Sequence, residues 1–217
     1  MPDIFARETI FLVIIFIISI GLHEYAHAWA SVKLGDPTPS LQGRLTPNPF
    51  AHIDPIGLVL IFIIGFGRGK PVLINPAYYK NHGRDELLVA MAGPASNIIM
   101  AIISIVIIMV YGQLVGMTAL LNGGDMVFLF WRMFGGINVM LAVFNLLPFP
   151  PLDGWRLVQF FLPSVARAVA PYTTYIMIGL LAILFLPGIS GIVRGFLGMV
   201  TQGVYGTLFM LIAAIFV

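Results

Sequence analysis

A chain of 217 residues is long enough for one domain, yet 59% of its residues are hydrophobic and 9% charged, more apolar side chain than a water-soluble core of this size can bury. The net charge of +2 arises from 11 Lys and Arg spread along the whole chain, with no dense basic patch, which argues against nucleic acid as a partner. Cysteine is absent, so disulfides, thiolate ligands and thiol nucleophiles are excluded, and any bound metal must be held by histidines and carboxylates.

In chain order, the first predicted span runs from about Glu8 to Val32 and ends at Lys33. It exceeds the roughly 20 apolar residues needed to cross about 30 Å of hydrocarbon. A secretory signal is the competing reading of this end. Against it, Asp3, Arg7 and Glu8 give no positive bias, and the apolar run continues past the small residues Ala26 and Ala28. A polar, proline-rich stretch from Gly35 to Pro49 follows and cannot be helical throughout. Asp54 and Pro55 then form a good helix start, but the apolar run they open reaches only Phe66, about 18 Å of helix, and is expected to be re-entrant or interfacial. Residues Arg68 to Asn75 read as an extended segment, either a membrane-surface hairpin or a strand edge offered to substrate.

Further spans are expected at about Leu87 to Tyr111, Met126 to Leu147, Arg167 to Leu186 and Gly195 to Val217, with a short surface helix at Asp153 to Phe161. Lys33, Arg44, Arg68, Lys70, Lys80 and Arg84 all precede Leu87, whereas Gly112 to Asp125 contains no Lys or Arg. The positive-inside rule therefore places the first region in the cytoplasm and the N-terminus outside. The expected fold class is an all-α polytopic membrane protein of about five transmembrane helices, with the re-entrant segment and the small hairpin. It forms a single integral membrane domain over residues 1–217, with a functional core of about 8–161 and no appended soluble domain.

The chemistry concentrates in His23-Glu24-Tyr25-Ala26-His27. On a helix, histidines at i and i+4 share one face and can bind one metal ion, while the intervening glutamate is placed to take a proton from an attacking water. Counted from Thr9, His23 lies about 21 Å along a helix that crosses a slab near 30 Å thick. An ionisable group there costs several kcal/mol unless it is paired or metal-bound. Among the acidic residues, Asp153 is the best third ligand. It follows Asn145-Leu-Leu-Pro-Phe-Pro-Pro-Leu, where prolines end the third span and Gly154 permits a tight turn, near the depth of His27. Two histidines, one carboxylate and one open position suit catalytic zinc.

These motifs, together with His52-Ile-Asp-Pro-Ile-Gly57 and Ala92-Gly-Pro-Ala-Ser-Asn97, resemble the site-2 protease family of intramembrane metalloproteases over residues from about 20 to 160. The resemblance implies Zn2+ bound by His23, His27 and Asp153, with Glu24 as base, and a transmembrane protein as substrate, cut inside the lipid bilayer. The expected localisation is a prokaryotic cell membrane, crossed several times, and the loop charges and the depth of His27 place the site toward the cytoplasmic side. Trp155 stands where many relatives have a second glycine. A metal-ion channel or transporter with an intramembrane His/Asp site is the alternative reading.

Asn145 and Asn97 are candidates to hold an unwound substrate backbone. For Asn97, and more so for Asn138, helix-to-helix hydrogen bonding is the competing explanation. Ala92, Gly93, Ala95 and Ser96 read as a small-residue packing surface, Gly135 and Gly136 likewise, and Arg132 as snorkelling outward. His52 is expected to be structural, and His82 to face solvent.

Overall fold

A computed structural model describes residues 7–55, 57–59, 69–116, 125–185 and 189–216. Among the described residues, four helices are long and apolar enough to cross a membrane: α1 (Arg7–Lys33), α3 (His82–Val115), α4 (Met126–Asn145), and α8 (Ile189–Phe216), in which the span begins at Gly191. Between them lie the short helices α2 (Thr38–Leu41), α5 (Trp155–Phe161), α6 (Pro163–Val169) and α7 (Thr173–Phe185). Three 3-10 turns lie at Pro49–His52, Pro76–Tyr78 and Ala170–Tyr172. No strand occurs among the described residues; one isolated antiparallel bridge joins Ile53 to Gly69. The chain is an all-α integral membrane protein with several crossings.

Helix α3 is the centre of the bundle, packed against α1 on one side and α4 on the other, while α8 rests on α4 and α3. Its 34 residues rise about 51 Å, more than the hydrocarbon needs. The additional turn at its start, earlier than the expected Leu87, is stabilised by the Asp85 carboxylate, which accepts the Asn81 N–H at 3.0 Å. Helix α4 starts where Asp125 caps the Phe128 N–H at 2.8 Å, and Tyr111 donates to the same carboxylate at 2.9 Å, fixing the end of α3 to the start of α4. The contact face of α1 carries Ile15, Ser19, His23 and His27 at every fourth residue. Opposite it, α3 presents Val89, Gly93, Asn97 and Ala101 at the same spacing. Small residues let the two backbones approach, which is how helices pack when lipid removes the hydrophobic incentive. Ile99, Ile103 and Val110, on the other side of α3, are exposed and face outward.

The expected fourth span, about 167–186, is helical in pieces. Pro171 falls in the 3-10 turn at Ala170–Tyr172, and the helix that follows has 13 residues, about 20 Å. Of the expected re-entrant segment, residues 55 and 57–59 are helical, with the Leu58 N–H on the Asp54 carbonyl; residues 56 and 60–68 lie outside the described residues. Arg132 is exposed, as a snorkelling residue should be. His82 is exposed at the first position of α3, where its Nδ1 pairs with the Pro76 carbonyl at 2.7 Å.

Beyond α1, the buried Asp36 carboxylate gathers hydrogen bonds from Ser31 Oγ (2.8 Å), Thr38 N–H (2.9 Å) and Asn75 N–H (2.8 Å), while Ser31 also meets the Tyr79 hydroxyl at 2.7 Å. Burial alone would raise the Asp36 pKa, but the hydrogen bonds from Thr38, Asn75 and Ser31 outweigh it and lower the pKa below the usual carboxylate value. A lowered folded pKa means stability that is present above about 3.9, the unfolded value, and is lost as pH falls through the folded one. The thermal midpoint of the detergent-solubilised protein should therefore drop below about pH 4. Asp36→Ala should lose on the order of 3 kcal/mol at neutral pH and flatten that acid limb. Equal midpoints for the two proteins at pH 7 would contradict the assignment.

Candidate metal centre

His23 and His27 project from one face of α1, with ring centroids 4.6 Å apart and planes at 84°. Their Nε2 atoms approach to 3.0 Å, and Asp153 Oδ2 lies 3.2 Å from the first and 3.4 Å from the second. A tetrahedral zinc with bonds of about 2.0–2.1 Å sets its ligand atoms roughly 3.3 Å apart, close to this triangle.

The other ring nitrogens show where the protons are. His27 Nδ1 lies 2.8 Å from the Val89 carbonyl, which can only accept, so Nδ1 carries the hydrogen and, in the neutral ring that binds a metal, Nε2 keeps its lone pair. His23 Nδ1 lies 2.6 Å from Asn97 Oδ1, whose amide nitrogen donates to Asn138 Oδ1 at 2.9 Å, and the same tautomer follows. Asp153 Oδ2 is buried without a hydrogen-bond donor. Three acceptor atoms thus converge within 4.8 Å, and they repel one another unless a cation lies among them. The residues fit a divalent metal.

Space for the ion comes from Gly93. A Cβ there would sit 2.6 Å from His23 Nε2 and collide with His27 Nε2, so any side chain would occupy the metal position. Sequence reasoning classed Gly93 as packing; it forms a wall of the site, and only the three-dimensional arrangement distinguishes it from its small neighbours.

Asp153 is delivered by the break after α4. The Gly154 N–H bonds the Asn145 carbonyl at 2.7 Å, closing residues 146–153 into a compact loop folded onto the helix end. Gly154 is obligatory here, because a Cβ would collide with the Leu146 carbonyl and lie 2.6 Å from the Leu147 oxygen. Past the loop, Arg156 donates to Glu86 of α3 at 2.7 Å and fastens α5 beside the site.

Glu24 is partly buried beside the ligands, and its Oε2 accepts the Val72 N–H at 3.0 Å. The Lys70 N–H bonds the His52 carbonyl at 2.8 Å, so the expected extended segment is anchored at two points, although it forms no strand and Arg68 lies outside the described residues. A Cβ on Gly69 would stand 3.3 Å from Glu24 Oε1, which shows how closely this backbone passes.

The remaining candidates separate. Asn97 is fully buried with its amide spent on His23 and Asn138. Asn145 is partly buried, with its amide nitrogen on the Leu141 carbonyl at 3.0 Å. His52 is fully buried, its Nε2 on the Thr46 carbonyl at 3.0 Å, and it joins no group of metal-ligating residues among those described. The helix-to-helix hydrogen bonding expected of Asn138 is present, to Asn97 and Ser19, whereas Val89 and Gly93 were missed as contributors. Their one signal was the four-residue spacing of Val89, Gly93 and Asn97.

A metal-ready triad formed by one membrane-crossing helix and the loop that follows another, with a glutamate at its side, has the makings of a membrane-embedded metallohydrolase. Comparison with known sequences agrees: the profile of Peptidase family M50 matches residues 11–186, and the chain belongs to that family. YwhC of Bacillus subtilis (strain 168), which carries the name of a zinc metalloprotease, is 42% identical over 161 residues, covering 73% of this chain and 72% of its own length. Rip2 of Mycolicibacterium smegmatis, named likewise, is 30% identical over 194 residues, 83% of this chain and 70% of its own. Rip2 of Mycobacterium tuberculosis (H37Rv) is 28% identical over 197 residues, 88% and 72% respectively. No solved structure matches the chain. The protein is a zinc metalloprotease, which decides for hydrolysis over the metal-transport alternative.

Proposed function

We propose that this metalloprotease is an intramembrane endopeptidase that hydrolyses peptide bonds in or near transmembrane segments of other membrane proteins. In this reading His23, His27 and Asp153 hold zinc, and Glu24 is the general base. The observation that carries it is the convergence of one ligand atom each from His23, His27 and Asp153, all within 4.8 Å of one another, at a partly buried point beside helices long enough to span the bilayer. Zinc held there supplies a Lewis acid that polarises a carbonyl and makes water acidic at neutral pH.

Glu24 accepts the proton of the attacking water and returns it to the leaving amine. Its Oε2 is already occupied by the Val72 N–H, which orients the carboxylate and leaves Oε1 to receive the proton. A substrate helix hides its carbonyls in its own hydrogen bonds, so it must unwind to be cut. Asn145, whose amide oxygen has no protein donor among the described residues, is placed at the loop that carries Asp153 and offers a contact for the exposed backbone. Asn97 positions His23. The Lys- and Arg-bearing segments between α1 and α3 favour a site facing the cytoplasm of a prokaryotic cell.

The test is proteolysis of a transmembrane substrate in liposomes. Glu24→Gln should keep its zinc and lose cleavage by about 100-fold to 10,000-fold, the usual weight of a general base. Cleavage at the wild-type rate would remove Glu24 from this role. Cleavage restricted to soluble peptides would overturn the intramembrane substrate.

A further inference from the structure

His27 and His23 reach the same tautomer by different means. For His27 the acceptor is a backbone carbonyl, that of Val89, which can never donate. For His23 the partner is the amide of Asn97, a group with an accepting end and a donating end. Turned over, Asn97 would donate to His23 Nδ1, drive the hydrogen to Nε2 and block the lone pair that faces Asp153. Something must hold the amide in one orientation.

The hydrogen bonds trace that hold across two helices. Asn97 Nδ2 donates to Asn138 Oδ1 at 2.9 Å, so its oxygen is left for His23. Asn138 is oriented in turn by its own nitrogen, which donates to Ser19 Oγ at 2.9 Å and to the Phe134 carbonyl at 2.9 Å. A hydroxyl would accept either end of an amide, but the Phe134 carbonyl accepts only a donor. Asn97, Asn138 and Ser19 are each 0% exposed, so no water can substitute for a misdirected partner.

We infer that Asn138 is a positioning residue: its amide, aligned by the Phe134 carbonyl, fixes the orientation of Asn97 and thereby keeps the Nε2 lone pair of His23 open to the metal. The inference rests on the reading of His23, His27 and Asp153 as the metal site. It goes beyond that reading in giving α4 a part in metal binding that needs no contact with the ion. A polar relay of this kind also accounts for two asparagines and a serine lying fully buried on membrane-crossing helices, where unpaired polar groups are costly.

The experiment measures zinc affinity of the purified protein by chelator competition, with helicity followed in parallel. Asn138→Leu should weaken zinc binding by roughly 10-fold to 100-fold, the usual effect of losing an outer partner of a ligand. Asn97→Asp presents an oxygen to His23 whichever way it turns, so it should make the relay unnecessary. In that background Asn138→Leu should cost no affinity, and the double variant should bind zinc more tightly than Asn138→Leu alone. If Asn138→Leu does not fold, Asn138→Ala gives the same ordering with a cavity in place of a larger apolar group. Unchanged affinity in a folded Asn138 variant, or a double variant no better than the single, would overturn the relay, since a residue needed only for packing gains nothing from a carboxylate at position 97. Undiminished zinc in His23→Ala would instead overturn the metal site itself.

Discussion

Gly93→Ala should abolish zinc binding in a protein that still folds. The added methyl group would lie 2.6 Å from His23 Nε2 and collide with His27 Nε2, which is the volume a tetrahedral ion needs. Neither histidine can retreat easily, since His27 Nδ1 is held by the Val89 carbonyl and His23 Nδ1 by Asn97. Elemental analysis of purified protein should fall from about one zinc per chain to background, and proteolysis should fall with it. The loss should exceed the roughly 100-fold typical of outer-partner changes, because here the metal position itself is filled. Gly136→Ala is the control: its added Cβ meets nothing within 4 Å, so zinc content should not change. Normal zinc in Gly93→Ala would mean that the ion sits elsewhere.

Gly154→Ala should weaken the site from the opposite side without altering a ligand. Its Cβ cannot be accommodated against the Leu146 and Leu147 carbonyls, so the loop closed by the Gly154 N–H to Asn145 carbonyl bond must open. Asp153 immediately precedes the strained position and would move away from the histidines. A loss of at least about 10-fold in zinc affinity is expected, with the helix content retained. Asp153→Asn, which preserves the loop but removes the carboxylate charge, should produce a comparable loss. Wild-type affinity in Gly154→Ala together with weak binding in Asp153→Asn would show that the loop tolerates the methyl group and that only the carboxylate counts.

The two substitutions mark where sequence and tertiary structure divide. The histidine pair was legible because its geometry is local: four residues make about one helical turn whatever surrounds it. Asp153 was legible because prolines and a glycine stop a helix by covalent rules that need no neighbours. Length and apolarity identified four of the five expected crossings on the same footing, but read the run near 167–186 as one span, where the structure has a 3-10 turn at Pro171 and a 13-residue helix. Gly93 gave no such sign. In sequence it is one small residue among Ala92, Ala95 and Ser96, and only the axial offset between α1 and α3 places it, rather than a neighbour, against the two imidazoles.

By itself the sequence determined that the chain lives in a membrane, that two imidazoles share a helix face with a glutamate beside them, and that a carboxylate is displayed at a broken helix end. Tertiary structure alone decided that the carboxylate meets the imidazoles, that Asn97 and Asn138 serve His23, and that a backbone N–H from Val72 holds Glu24. The physical reason is range. Helical periodicity and proline sterics act over a few bonds, whereas contacts between residues 74 or 119 positions apart depend on how whole helices slide and rotate against one another, which no single residue encodes.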